Sequence, residues 1–188
     1  MLSSFIASLL LASTAILPPF AGSPAGAAGT SAEQFPKSPQ DTHCLAEFDI
    51  TFSPGVSNAP SSGTFTSHGE TGTMHCDGPV NGKPVTGTGS RGETGRYGLD
   101  GPNTCTKLDG RGDAAFSLTM PTADGDEHIA DLATITYGPL QGGGVLGGTL
   151  ESKRMYGTFQ VTPIEGDCVT TPITRAHVRC EEWIVNER

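Results

Sequence analysis

The run AEFDITF, residues 46–52, alternates apolar and polar side chains along its whole length. Successive side chains of an extended strand point to opposite faces, so one face of this segment carries Glu47, Asp49 and Thr51 while the other is apolar. The apolar face consists of Ala46, Phe48, Ile50 and Phe52. A strand with one face in a hydrophobic core and the other in water has this pattern, which is typical of antiparallel sheets.

Similar alternation recurs in four later segments: AAFSLTM at 114–120, IADLATITY at 129–137, MYGTFQV at 155–161 and ITRAHVRCEEWIV at 173–185. Asp131 interrupts the second of these patterns, and a change of phase near Trp183 predicts a bulge in the last strand. Clusters of Gly, Pro, Asn and Asp separate the segments and indicate turns between short strands.

No segment sustains helical periodicity, and the 26 glycines are so scattered that any long helix would contain at least one. We therefore predict an all-β domain of about eight to ten short strands, supported by disulfide bonds. An antiparallel small β-barrel is favoured because closure hides every strand edge, and a β-sandwich is the alternative.

A repeated frame lies in the first half of the domain. The stretch HGETGTMHCDGP at 68–79 returns 23 residues later as RGETGRYGLDGP at 91–102. Glycine adopts positive φ at little cost, and Asp-Gly-Pro forms a turn that ends a strand. The repeat predicts two successive β-units with the same turn chemistry.

The N-terminal region has the layout of a secretory signal peptide. An uncharged apolar run at 2–17 is followed by two prolines and by a small-residue cleavage site at 25–27. We predict a signal peptide over 1–27, a flexible polar leader over 28–43 and a single domain over 44–188. The protein is therefore expected to be secreted or extracytoplasmic, in the cell envelope, with no membrane span in the mature chain.

The charge of the chain excludes some partners. Twenty Asp and Glu residues against eleven Lys and Arg residues give a formal net charge of −9. An acidic protein without a basic cluster repels phosphate backbones and anionic lipid surfaces. Nucleic acid is therefore not expected as a partner, which leaves a small ligand or a protein.

Five cysteines follow the predicted leader, and in an exported protein they are expected to form disulfides. The odd number leaves at least one cysteine free or bound to another chain. Cys168 and Cys180 are the first predicted pair, because a hairpin between them would bring its ends together. Cys76 and Cys105 are the second predicted pair, which leaves Cys44 over.

The first copy of the repeat also carries possible metal ligands. His68 and Glu70 would share one face of an extended strand, and His75 could approach them across a turn. Two imidazoles and a carboxylate form a workable Zn or Cu shell with an open position for water. The alternative is that these side chains face solvent and that Cys76 forms a disulfide.

Calcium is a further alternative, in which carboxylates of both repeats share one rim. Its ligands would be Glu70, Asp77, Glu93 and Asp100.

Three functions are compatible with these features. The favoured one is a secreted, non-catalytic β-domain without a cofactor that binds a small ligand in a barrel mouth or a protein partner on its rim. The second is a metal-dependent extracytoplasmic enzyme in which His68 and His75 bind Zn or Cu and Glu70 acts as ligand or general base. The third is a cell-envelope structural protein without a ligand.

Overall fold

The structure is a computed structural model that describes residue 38 and residues 40–139 and 144–186. The predicted signal peptide, 1–27, and the leader as far as residue 37 lie outside the described residues. Across the part of the chain that is described, no helix has the length and apolarity needed to cross a bilayer.

The described chain is built from strands. They are β1 (Thr42–Val56), β2 (Gly63–Thr66), β3 (Gly72–Asp77), β4 (Pro79–Val80), β5 (Lys83–Pro84), β6 (Gly89–Tyr97), β7 (Gly110–Thr122), β8 (Gly125–Tyr137), β9 (Leu146–Glu151), β10 (Met155–Glu165) and β11 (Ile173–Ile184). The first strand begins at Thr42, so the last two residues of the segment predicted as leader belong to the sheet. The all-β prediction is confirmed.

The sheet closes on itself. Its order is β11-β10-β9-β8-β7-β6-β2-β1-β3, with further antiparallel pairings of β11 with β1 and of β6 with β3. Strands β2 and β3 lie one after the other between β1 and β6 and together take the place of one strand. The barrel is therefore eight-stranded. The barrel prediction is confirmed, the sandwich alternative is wrong, and β4 and β5 form a separate small hairpin.

The two ends of the barrel differ. The connecting segments 57–62, 98–109 and 166–172 lie at the end where β1 finishes, which we call the loop end. Thr42 and Ile184 pair at the opposite end, which we call the termini end.

Alternation along the strands places one set of side chains inside. The segment 46–52 has the predicted orientation, since Ala46, Phe48 and Ile50 are buried in the barrel. The last strand keeps one phase from Ala176 to Ile184, with Trp183 pointing outward. The bulge predicted near Trp183 is therefore wrong, and the phase changes instead between Ile173 and Ala176, which are both buried.

Asp131 has a clear reason to break the apolar pattern of β8. Strand β9 covers β8 only from Thr134 onward, so Asp131 lies beyond the end of β9. Its Oδ2 accepts hydrogen bonds from the backbone N–H groups of Lys153 (3.0 Å) and Arg154 (3.1 Å) in the turn between β9 and β10. The carboxylate of Asp131 thus stabilises this turn from a position on β8 that β9 does not cover.

The first copy of the Gly-Glu-Thr-Gly frame forms a large bulge between β2 and β3. Thr66 pairs with Thr51 and Thr73 pairs with Glu47, so six intervening residues face only three on β1. His68 has a φ of 57° within this bulge. The second copy is regular strand in β6.

The two copies are therefore not equivalent units, and that part of the prediction is wrong. The two copies contact each other instead. A Cβ at Gly92 would lie 2.2 Å from the carbonyl oxygen of Gly69, so the bulge packs directly against the backbone of Gly92. The two Asp-Gly-Pro sequences do share turn chemistry. Gly78 and Gly101 have φ values of 119° and 146°, and each follows the end of a strand.

The disulfides differ from both predicted pairs. Cys44 is bonded to Cys76, its register partner on β3, and Cys105 is bonded to Cys168 at the loop end. Cys180 is a free, buried thiol. The predicted Cys168–Cys180 bond fails because β11 is one extended strand that carries Cys180 into the barrel. The predicted Cys76–Cys105 bond fails because these residues lie at opposite ends of the barrel.

Peptide mapping of the oxidised protein without reduction is expected to recover peptides that link Cys44 with Cys76 and Cys105 with Cys168. Iodoacetamide should leave Cys180 unmodified in the native protein and label it after unfolding, because burial protects the thiol. A crosslinked peptide that contains Cys180 would contradict the assignment.

As a stability check, removal of either bond by paired serine substitutions should lower the free energy of unfolding by about 2–5 kcal/mol.

Candidate functional site

The interior of the barrel is filled at one end and hollow at the other. In the termini half, bulky apolar side chains are almost completely buried, among them Met74, Leu118, Met120, Met155 and Ile184. The loop half contains a cavity of about 60 Å³ that is partly open to solvent. Its wall is mainly aliphatic and aromatic and includes Ile50, Phe65, Leu150, Phe159 and Val178.

Polar groups mark the two limits of the cavity. On β6 and β11 the deepest lining residues are Glu93 and Cys180. At the loop end, Asn103 lines the mouth and donates a hydrogen bond from Nδ2 to the hydroxyl of Tyr137 (2.6 Å). The Cys105 disulfide holds the same segment, so the wall of the mouth is anchored.

Arg91 lies below the floor of the cavity, one inward position deeper than Glu93 on β6. Its side chain is 1% exposed. Nε and Nη2 donate to the two carboxylate oxygens of Glu182 at 3.3 and 2.9 Å. The guanidinium carbon lies 5.2 Å from the ring centroid of Phe48 and 5.1 Å from that of Phe116. Cation–π contacts and a two-point ion pair thus hold the charge in an apolar interior.

Glu93 is the second carboxylate of this cluster. Its Oε2 accepts a hydrogen bond from Nη2 of Arg91 at 3.2 Å, and its side chain is 13% exposed. Burial raises the pKa of Glu93, the positive charge of Arg91 opposes the rise, and the negative charge of Glu182 adds to it. The net shift is upward, so the interior favours a protonated Glu93.

Two further ionisable groups of the cluster, Arg91 and Cys180, have fixed states at neutral pH. Burial alone would lower the pKa of Arg91, but Glu182 and Glu93 raise it above its ordinary value, so the guanidinium stays charged. Burial raises the pKa of the Cys180 thiol, and Glu182 adds to the effect. Cys180 is therefore a neutral thiol and a poor nucleophile.

The residues predicted as Zn or Cu ligands do not form a cluster. Nε2 of His68 bonds to the hydroxyl of Thr51 (2.8 Å), Glu70 accepts from a serine hydroxyl of β6 (2.5 Å), and His75 lies beside the hydroxyl of Thr88 (3.3 Å). Among the residues that the structure describes, no group of three or more His, Cys, Asp or Glu side chains could hold a metal ion.

The predicted calcium rim is wrong as well. Glu93 lies inside the barrel, while Asp77 ends β3 near the termini end. Asp100 lies at the loop end, where its Oδ1 accepts the backbone N–H of Arg111 (3.0 Å). These carboxylates face different regions and share no rim.

A larger groove of about 470 Å³ lies on the outer face of β3, β1, β11 and β10. Its charged groups pair with exposed neighbours: Nε of Arg179 lies 2.9 Å from Oε1 of Glu47, and Nε2 of His43 lies 3.2 Å from Oε1 of Glu181. These charged groups are exposed to solvent, so they are not held in an apolar environment as the charges of the barrel interior are. The interior cavity, with its uneven charge, is the better candidate site.

Sequence reasoning missed the charge cluster. It assigned Glu93 only to the calcium hypothesis and gave Arg91, Glu182 and Cys180 no role in a site. A signal was present, because Glu182 falls in phase with the apolar residues of β11 and Arg91 and Glu93 share one face of β6. Charged residues in phase with a buried face require partners inside the protein.

Comparison with protein families, with curated proteins and with solved structures gives no match to this chain.

Substitution Glu182→Gln is expected to lower the free energy of unfolding by about 3–5 kcal/mol, because it leaves the buried Arg91 with the weaker contact to Glu93 and a hydrogen bond to the carbonyl oxygen of Gly92. Urea unfolding followed by tryptophan fluorescence measures the change. Arg96→Gln is the matched control, since Arg96 lies on the same strand and pairs with Asp113 at the exposed surface. The control should change stability much less, and equal losses would contradict a buried ion pair.

A raised pKa at Glu93 predicts a particular pH dependence of stability. The folded protein holds the Glu93 proton more tightly than the unfolded chain, so stability falls as pH rises from about 4.3 through the folded pKa. Relative to Glu93→Gln, the wild type should lose stability over this range in urea titrations at stepped pH. Glu47→Gln, which removes an exposed carboxylate, is the control. A wild type that gains stability relative to Glu93→Gln as pH rises would show that the pKa is lowered.

Proposed function

We propose that this protein is an exported, non-catalytic binding protein that holds a small, mainly apolar ligand in the loop half of its barrel. The observation that carries the proposal is the uneven filling of the interior. One half is packed with large side chains, whereas the other half keeps an apolar cavity that opens towards the loops. Ligand sites in small barrels lie in such mouths.

Two aromatic rings that line the cavity pack over glycines of neighbouring strands. Phe65 lies opposite Gly95 and Phe159 lies opposite Gly148 on neighbouring strands. A Cβ at Gly95 would come within 2.5 Å of the Phe65 ring, and one at Gly148 within 2.3 Å of the Phe159 ring. The absence of a side chain at Gly95 and Gly148 therefore leaves the space that these two rings occupy.

An empty cavity has an energetic cost. At roughly 24 cal/mol per Å³, the 60 Å³ cavity costs about 1.5 kcal/mol of stability relative to a filled core. A barrel that served only as a structural element would be more stable with larger side chains at these positions. Retention of the cavity is explained if a ligand occupies it.

The size of the cavity limits the ligand. A cavity of about 150 Å³ accepts benzene, so a space of 60 Å³ holds a molecule of a few heavy atoms or the narrow end of a longer one. The remainder of a longer ligand would extend through the open mouth between the loops.

Binding fits the chemistry of the lining better than catalysis does. At the floor of the cavity, Cys180 is a neutral thiol and Glu93 is bonded to Arg91, while near the mouth the hydroxyls of Tyr97 and Tyr137 are engaged in hydrogen bonds. The metal-dependent enzyme and the cell-envelope structural role stay predictions from the sequence. Two disulfides fit an oxidising compartment, and with the predicted signal peptide they support an extracytoplasmic location.

Xenon is a suitable first probe, since it binds in apolar cavities. Under xenon pressure, the backbone amide NMR signals of lining residues such as Leu150 and Val178 should shift in a saturable way. Val161→Phe should abolish the shifts by filling the cavity. Thr162→Phe is the matched control, because the same ring is added on the outer face of the same strand, and the shifts should persist.

Two results would contradict the proposal. The first is a folded wild type whose lining residues show no saturable shift. The second is a folded Val161→Phe variant that responds to xenon as the wild type does. Thermal unfolding of both variants establishes that they are folded before the comparison is made.

A further inference from the structure

The charge of the cavity floor is unbalanced. Arg91 is the one guanidinium of the cluster, and Glu182 binds it through two hydrogen bonds while Glu93 accepts only from Nη2. Glu182 is fully buried beneath the floor, whereas Glu93 lines the cavity. The carboxylate in reach of a ligand is therefore the one whose charge the cluster neutralises least.

The surroundings of Glu93 supply no second cation. The side chains described as lining the cavity include no Lys, Arg or His. The charged and titratable groups near Glu93 are Arg91 from its own strand and Glu182 and Cys180 from β11. The neighbouring strands β1, β2 and β7 present apolar rings and aliphatic groups to this space, among them Ile50, Phe65 and Phe116.

A carboxylate in such a place needs either a proton or a positively charged partner, because an uncompensated charge in an apolar interior is strongly unfavourable. We propose that the cavity binds a small aliphatic amine, whose ammonium group donates hydrogen bonds to Glu93 while its alkyl chain contacts the apolar wall above. This inference rests on the proposed function and names the class of its ligand. The enclosed space holds only a few heavy atoms, so the far end of a four-carbon chain would extend through the open mouth.

Binding then exchanges one positive charge for another. In the empty protein burial raises the pKa of Glu93, so its carboxyl group keeps a proton to a higher pH than an exposed glutamate does. When an ammonium enters, the O–H bond of Glu93 breaks, its proton passes to solvent, and the ammonium N–H groups donate to the resulting carboxylate. The affinity for the amine should therefore rise with pH through the raised pKa of Glu93, until the amine itself loses its proton near about 10.

Other ligand classes fit less well. A carboxylate or phosphate ligand would meet the carboxyl groups of Glu93 and Glu182, and the donors of Arg91 that face them are already engaged. A neutral apolar molecule would gain only the hydrophobic contribution of the wall, because Glu93 would keep its proton.

Two probes of the same length separate these cases: n-butylamine, which is cationic at neutral pH, and butan-1-ol, which is neutral. Dissociation constants are measured from amide NMR shifts at several pH values. Wild type should bind butylamine about tenfold or more tightly than butan-1-ol at neutral pH, as expected for a charge-assisted hydrogen bond. Glu93→Gln should remove this preference and leave butan-1-ol binding unchanged.

Glu181→Gln is the matched control, since it removes one negative charge from the outer face. It should keep the wild-type preference for the amine, which distinguishes the cavity from general attraction to an acidic protein. If Glu93→Gln fails to fold, Glu93→Asp provides the test, because the shorter side chain should weaken butylamine binding without changing that of butan-1-ol.

The outcomes are distinct. If xenon and butan-1-ol bind but butylamine binds no more tightly, the amine inference is wrong and the proposed function stands. If Glu93→Gln and Glu181→Gln weaken amine binding equally, the inference is also wrong. If none of the three probes shifts the lining residues, the proposed function fails and the inference fails with it.

Discussion

The buried ion pair of Arg91 with Glu182 is the interaction on which the interior of the barrel depends. A guanidinium is tolerated in an apolar core only when carboxylate and aromatic partners surround it, and here Glu182, Phe48 and Phe116 do so. The pair lies between the packed termini half and the hollow loop half. It also sets the state of Glu93, whose carboxyl borders the cavity and shares the same guanidinium.

The sequence predicts the strands well because alternation is a local property of each segment. The run at 46–52 and the inward face of β7 follow it directly, and barrel closure follows from the need to hide edges. Asp131 appeared as an unexplained exception, since its partners lie in a turn more than twenty residues later. The bulge at 67–71 was missed because its cause is contact between two segments, Gly69 over Gly92.

Long-range chemistry was harder to predict for the same reason. Disulfide pairing depends on which cysteines become neighbours across the closed sheet, and spacing along the chain gave the wrong partners for Cys76 and Cys168. The metal hypothesis relied on residues close in sequence, yet the bulge and the pleat direct His68 and His75 to different neighbours. Glu182 is in phase with buried residues, but its partner on β6 becomes visible only when the barrel closes.

The most direct test of this account is the titration of the Glu93 carboxyl group, followed by NMR of side-chain carboxyl carbons in the ligand-free protein. We expect a midpoint above the ordinary glutamate value of about 4.3, because the buried cluster holds two carboxylates against one guanidinium. A midpoint below that value would mean that Arg91 fully neutralises Glu93. Glu93 would then need no cationic ligand. Arg91, Glu93 and Glu182 would form a stable ion triad that does not influence which ligand binds.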